Sequence, residues 1–176
     1  MILKNNELEV VGIRLVSEGK VKSIEKLSHP KEVVDLFLKE LSGYDREVMA
    51  VFNVSAKGRV LNVNIASMGT INATLVSGRE IFKSSILSNA SGIILAHNHP
   101  SGDPTPSKED LETTEKICIG GEILGIEVID HVIVGGGMEE NYHSMRKAGE
   151  MDRMGLKKTK LTELFVEQSM QEEMER

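Results

Sequence analysis

The sequence predicts an α/β fold, a mixed sheet with helices packed on it, on three observations. Short apolar runs of strand length alternate with helix-periodic segments along the chain. That order places helices against a sheet rather than in a separate block. Gly92-Ile93-Ile94-Leu95-Ala96 has no polar face and suits a central strand covered on both sides. Glycines and prolines punctuate the joints between these segments, where chain reversals need them.

Element by element, Val10 to Val16 and Lys20 to Ile24 flank Ser17-Glu18-Gly19 and read as a strand pair around a turn. Pro30 suits a first helical turn, with Ser28 or His29 as its cap. Val33, Phe37 and Leu41, with Val34 and Leu38 beside them, make one apolar stripe, and Gly43 offers a stop. Glu47 to Val54 reads as a buried strand and Lys57-Gly58 as a turn. Leu61, Val63 and Ile65 then alternate with Asn62 and Asn64 as in a half-exposed strand. A second helix is expected from Gly78 to Asn89, with Phe82 and Ile86 inward. A third runs from Ser107 to Gly125, weakened by Gly120-Gly121. Ile126 to Val134 and Tyr142 to Met145 read as further strands, and Gly135-Gly136-Gly137 as a turn. This divides the chain into an N-terminal strand pair (1–27), a main domain (28–149) and a helical accessory tail (150–176) with Leu161, Leu164 and Phe165 on one side.

Composition narrows the function. The chain has 176 residues, enough for one domain with its own core. Its formal net charge is −6 and no region is strongly basic, which disfavours direct nucleic-acid binding, since phosphate grip needs a basic stripe. No apolar run approaches the ~20 residues that span a bilayer, and the first residues lack a signal-peptide core, so the expectation is a cytoplasmic protein without membrane contact. The single cysteine, Cys118, excludes a disulfide framework and a multi-cysteine zinc site and reads as a small core residue.

The chemistry lies between His97 and Asp110. In an extended chain His97 and His99 point to the same side, so two imidazoles can reach one metal ion. Asp110 falls in the first turn of the following helix and can turn back toward the strand end. Two His and one Asp leave a fourth metal position open for water, as in catalytic zinc sites. Three of the four prolines (Pro100, Pro104, Pro106) stiffen the connecting loop. Ser107-x-x-Asp110 also fits a helix capping box, and taken alone that reading is the stronger. The combination of strand, His-x-His, stiff loop and helical Asp favours metal. A proton acceptor is still required, and Glu47 is the best candidate, ahead of Glu80 and Glu109. By position alone Glu47 reads first as an exposed strand start. Asp130-His131 reads either as support for the site or as a satisfied polar pair, and His29 as part of a helix start.

These residues resemble the JAMM motif. His97-Asn98-His99-Pro100-Ser101-Gly102-Asp103 through Pro106-Ser107-x-x-Asp110 is similar to the RadC family within the MPN/JAB superfamily. Thr70–Val76, Arg79–Phe82, Gly125–Val134 and Tyr142–Ser144 extend the resemblance over residues 28 to 149. It implies a cytidine-deaminase-like α/β sandwich and a zinc-dependent hydrolase of peptide or isopeptide bonds, in a family linked to DNA repair by its historical name. It further implies one zinc per chain on His97, His99 and Asp110, with Ser107 stabilising the oxyanion and Glu47 activating water. The chain resembles the short form that lacks an N-terminal helix-hairpin-helix-like module, which again weakens direct DNA contact. The expected partner is a protein or peptide substrate. The alternatives are a catalytically silent MPN interaction module and a metal-dependent nuclease. A base deaminase would need a Pro-Cys-x-x-Cys segment that a single Cys118 cannot supply.

Overall fold

A computed structural model describes residues 12–20, 29–41, 46–69, 77–135 and 141–154. Along the chain run α1 (Pro30–Leu41), β1 (Val48–Val54), β2 (Val60–Met68), α2 (Gly78–Leu87), β3 (Gly92–His99), α3 (Lys108–Leu124), β4 (Glu127–Gly135) and β5 (Tyr142–Ser144), then a 3-10 turn, Glu150–Arg153. Among the described residues the strands form one five-stranded sheet, ordered β2-β1-β3-β4-β5. The β3–β4 pair is parallel and the other three pairs are antiparallel. This is the mixed sheet expected, with Gly92–Ala96 in its central strand.

Helices cover both faces. On one face Val33, Val34 and Phe37 of α1 pack on Ala50, Phe52, Ile94 and Ala96. On the other, Ile81 and Phe82 of α2 and Ile117 and Cys118 of α3 pack on Met49, Val51, Leu95 and Ile133. Strand residues therefore alternate between two cores, which is why β1 is buried at every position. Each such fully buried aliphatic side chain contributes about 1.5–3 kcal/mol by leaving water.

Local chemistry sets the helix ends. His29 opens α1: its Nδ1 accepts the Lys31 N–H at 3.1 Å, and Glu32 accepts the His29 N–H at 3.1 Å. These are the reciprocal bonds of a capping box, with imidazole in the serine role. Gly125 ends α3 at φ 68°, in the left-handed region a helix stop favours. Gly120-Gly121 does not break α3. A side chain at Gly121 would run into the Ile126 carbonyl, so the glycine lets the helix approach the start of β4.

Four expectations need correction or limits. Ile86 is half exposed, and α2 instead buries Ile81, Phe82, Ser84 and Ser85. The alternation in β2 is broken by register shifts opposite Met49/Ala50 and Asn53/Val54. Leu61 is exposed, whereas Asn62 turns inward, accepting from Asn53 at 2.6 Å and donating to Ser88 at 2.8 Å. The shift beside Val60 turns Leu61 outward, whereas Asn62 stays on the face opposite Val63 and Ile65, which α2 covers. In the expected N-terminal pair, residues 12–20 carry no strand and leave Ile13 and Val16 exposed. Its other residues, and Leu161, Leu164 and Phe165 of the tail, lie outside the described residues, as do Gly43, Thr70–Val76 and Gly136-Gly137. The first tail residues belong to the core: Met151 and Met154 are buried in the α2–α3 layer. No helix among the described residues is long and apolar enough to cross a membrane.

Candidate metal centre

The parallel pairing of β3 with β4 carries His97 and His99 to the strand end, on the same face as Leu95 and under the start of α3. Ser107 caps α3, and both arms of the capping box form: Ser107 Oγ accepts the Asp110 N–H at 3.1 Å, and Asp110 Oδ2 accepts the Ser107 N–H at 2.8 Å. The cap and the metal reading are therefore not alternatives. The box orients the carboxylate, and its other oxygen, Oδ1, lies 3.3 Å from His97 Nε2. His99 Nε2 lies 2.9 Å from His97 Nε2 and 3.4 Å from Asp110 Oδ2. One ligand atom from each of the three residues falls within 4.8 Å of the others, a group that can hold a metal ion.

The donor set fits a divalent cation chemically. His99 Nδ1 sits 2.8 Å from the Asp103 carbonyl, which can only accept, so Nδ1 carries a proton and Nε2 faces the centre. Burial, then the neighbouring His131, holds His97 well below its ordinary pKa, so it is a neutral donor. His99 is raised by its hydrogen bond to Asp110. Asp110 is held well below the usual carboxylate range: burial opposes this, but His99, His97 and the two Ser107 bonds outweigh it. A proton on His99 Nε2 would place positive charge between two nitrogens and a carboxylate. A metal ion would supply positive charge at the same place.

The proline loop is clamped from outside. Gly102 takes φ 85° in the turn after His99, and Asn141 Nδ2 donates to both Gly102 O and Gly135 O at 2.8 Å. Gly135 is the register partner of His99, and any side chain there would meet the Gly102 carbonyl. The loop thus lies against bare backbone, which fixes Asp103 under the His99 ring.

Glu47 immediately precedes β1, half-buried, and its charge is felt at His99. Asn98 holds this segment in place. Its Oδ1 accepts the Val48 N–H at 2.8 Å and its Nδ2 donates to the Arg46 carbonyl at 3.0 Å, gripping the chain on both sides of Glu47. The rivals lie elsewhere: Glu80 pairs with Lys83 at 2.7 Å on the surface, and Glu109 is exposed. Ser107 Oγ donates to Asp110 Oδ2 at 2.6 Å, so its proton is engaged within the capping box.

Sequence reasoning missed two contributors. Asn98 is the unmarked residue of His-x-His. Thr114 lies one helical turn after Asp110, a spacing that places both on one face. The Asp130-His131 pair divides between its two expected readings. His131 lies 2.8 Å from His97, while Asp130 points to the opposite side of β4 and accepts from Ser144 Oγ at 2.6 Å and Arg146 N–H at 2.9 Å. A bulge opposite Ile93/Ile94 leaves the Val128 and Ile129 carbonyls to the Arg146 guanidinium.

A mixed sheet between helix layers, with His-x-His at the end of its central strand and Asp in a helical first turn, is a JAB/MPN-type α/β domain. The chain belongs to the RadC-like JAB domain family, which it matches over residues 27–150. That family typically includes metallohydrolases. The chain is 45% identical over 123 residues to a UPF0758 protein of Desulfitobacterium hafniense, covering 70% of this chain and 53% of that one. It is 39% identical over 124 residues to a UPF0758 protein of Methanosarcina mazei, with the same two shares. A UPF0758 protein of Moorella thermoacetica is 46% identical over 111 residues, 63% of this chain and 48% of that one. The chain thus spans about half the length of the curated relatives it matches.

Proposed function

We propose that the domain is a zinc-dependent hydrolase of the JAMM type that cleaves a peptide or isopeptide bond. One observation carries the reading: two imidazoles and a carboxylate converge within 4.8 Å, and each imidazole's second nitrogen is already engaged. Zinc, one per chain on His97, His99 and Asp110, suits a nitrogen-rich set better than magnesium or calcium does. A bound zinc ion supplies Lewis acidity, polarising a carbonyl and lowering the pKa of coordinated water to about 7.

The chain's own residues supply the rest. Glu47 takes a proton at its carboxylate and returns it to the leaving nitrogen, from a segment that Asn98 keeps beside His99. Ser107 turns its hydroxyl from Asp110 Oδ2 toward the developing oxyanion, while its backbone N–H continues to hold that oxygen. The acidic charge balance and absence of a basic stripe support a protein or peptide substrate over a nucleic acid.

The test is metal content by inductively coupled plasma mass spectrometry, followed by a peptide and isopeptide screen. About one zinc per chain is expected in the wild type, lost in His97→Ala and Asp110→Ala. Glu47→Gln should keep zinc and lose turnover by roughly 10²–10⁴-fold. Full zinc in His97→Ala would reject the ligand set, and undiminished turnover in Glu47→Gln would reject the base.

A second reading, a silent interaction module, is favoured by the apolar groove between α2 and α3, where Ile86 and Ile123 are exposed. The catalytic reading is preferred, because a scaffold has no need of a buried, pre-oriented His-His-Asp set.

A further inference from the structure

Behind His97 runs a second chain of polar contacts, of which the reading above uses only the first link. His97 Nδ1 lies 2.8 Å from His131 Nε2. His131 Nδ1 lies 2.6 Å from Thr114 Oγ1. Thr114 Oγ1 lies 2.6 Å from the carbonyl oxygen of Asp110. His97, Thr114 and His131 are all essentially inaccessible to solvent, so water cannot substitute for a missing partner.

The direction of every proton in this chain follows from its far end. A peptide carbonyl only accepts, so the single Thr114 hydroxyl proton points at Asp110 O. The weaker neighbour, Met145 Sδ at 3.4 Å, cannot compete for it. With that proton committed, the His131–Thr114 contact needs a proton from His131 Nδ1. A neutral His131 then has a bare Nε2, which can only accept, and His97 Nδ1 must donate to it. The lone pair of His97 is left on Nε2, the nitrogen that faces His99 and Asp110. Were the chain reversed, the His97 proton would sit on Nε2 and block the ligand position.

From this polarity we infer that Thr114 and His131 are positioning residues that fix the tautomer and ring orientation of His97, tying it through the Asp110 carbonyl to the opposite ligand of the same centre. Neither touches substrate or metal. Histidine ligands commonly donate their second N–H to a carboxylate or carbonyl. Here the acceptor is a histidine, which can accept only while its own other nitrogen is protonated. Thr114 enforces that condition, and its anchor is the backbone of the residue that also supplies the carboxylate. Movement of the α3 first turn would therefore disturb Asp110 and His97 together.

The inference rests on the metal-ligand reading of His97, and the experiment separates the two. Long-range proton–nitrogen NMR spectra of the imidazoles, recorded on the ¹⁵N-labelled full chain at pH 7.5 with and without added Zn²⁺, report which ring nitrogen carries hydrogen. The expected result is His131 protonated on Nδ1 and bare on Nε2, and His97 protonated on Nδ1, in both samples. A His131 protonated on Nε2 would overturn the inference, whatever the metal does. Zn²⁺ affinity by chelator competition is the second readout. His131→Leu should weaken binding by roughly 10–100-fold, and His131→Gln, which can return an acceptor to the Nε2 position, should recover most of it. Thr114→Val should lose affinity and Thr114→Ser keep it. If His97→Ala abolishes binding while His131→Leu binds as tightly as the wild type, the relay fails and the ligand reading stands. If His97→Ala still binds fully, the ligand reading fails.

Discussion

Replacing Gly135 with alanine tests whether the site is shaped by the loop packed against β4. The added Cβ would collide with the Gly102 carbonyl, and it would lie 2.7 Å from Asn141 Nδ2 and 2.9 Å from Pro104 Cδ. Two of these neighbours are backbone or ring atoms and cannot rotate away. Overpacking of this kind costs about 1–3 kcal/mol. Displacing Asn141 also weakens its two hydrogen bonds, each worth about 1 kcal/mol. Gly135→Ala should therefore destabilise the metal-free protein by about 2–4 kcal/mol in urea denaturation. The displacement should propagate, because the same loop carries the Asp103 carbonyl that orients His99. Zn²⁺ affinity should fall more than in Asn141→Ala, which loses the hydrogen bonds without adding an atom. An unchanged urea midpoint together with unchanged Zn²⁺ affinity would refute the claim that the loop rests on bare backbone.

Other outcomes follow from burial and packing. Burial pushes His131 down to about 4, below its unfolded value near 6.5, so its contribution is whole above pH ~6.5 and is lost as pH falls toward 4. His97 is lowered in the same direction. His99, raised and only half-buried, works the other way and offsets part of this. Metal-free protein should be about 2 kcal/mol less stable at pH 5 than at pH 7.5 by denaturant titration; equal or greater stability at pH 5 would contradict the assignment. Gly121→Ala should melt lower than Gly120→Ala by the equivalent of about 1–3 kcal/mol. The first meets backbone at Ile126 O, and the second meets the movable Phe82 ring at 3.2 Å; matching melting curves would sink the close-approach argument. Cys118 is fully buried, and burial raises its thiol to about 12, so it should resist thiol reagents at pH 8 until the protein unfolds. Rapid labelling of the native protein would show that α3 opens locally.

Much of the centre was legible because its chemistry is local. The i, i+2 spacing of His97 and His99 places both on one face of any strand, and Ser107-x-x-Asp110 builds a helix start from neighbouring residues alone. The β1, β3 and α3 segments likewise announce themselves through apolar runs and caps whose causes lie within a few residues. The errors came where a contact across the sheet decides. The bulge in β2 turns Leu61 outward and α2 covers the face that carries Asn62, and no pattern within that strand encodes either. Ile86 has the periodicity of a buried residue, yet α2 rests on the sheet through a neighbouring stripe.

By itself the sequence determined the alternation of strands and helices, the three candidate ligands, and the stiff loop between them, because spacing and backbone preference act at short range. Only the tertiary structure decided what makes the three candidates a cluster. The parallel pairing of β3 and β4 brings His131, 34 residues away in sequence, behind His97. The antiparallel pairing of β1 and β3 lets Asn98 grip the chain on either side of Glu47, about 50 residues before it. Gly135 lets the loop close over His99. Each is a contact between residues far apart in the chain, formed when the sheet buries its two faces. Its geometry depends on register and approach distance, which no local pattern specifies.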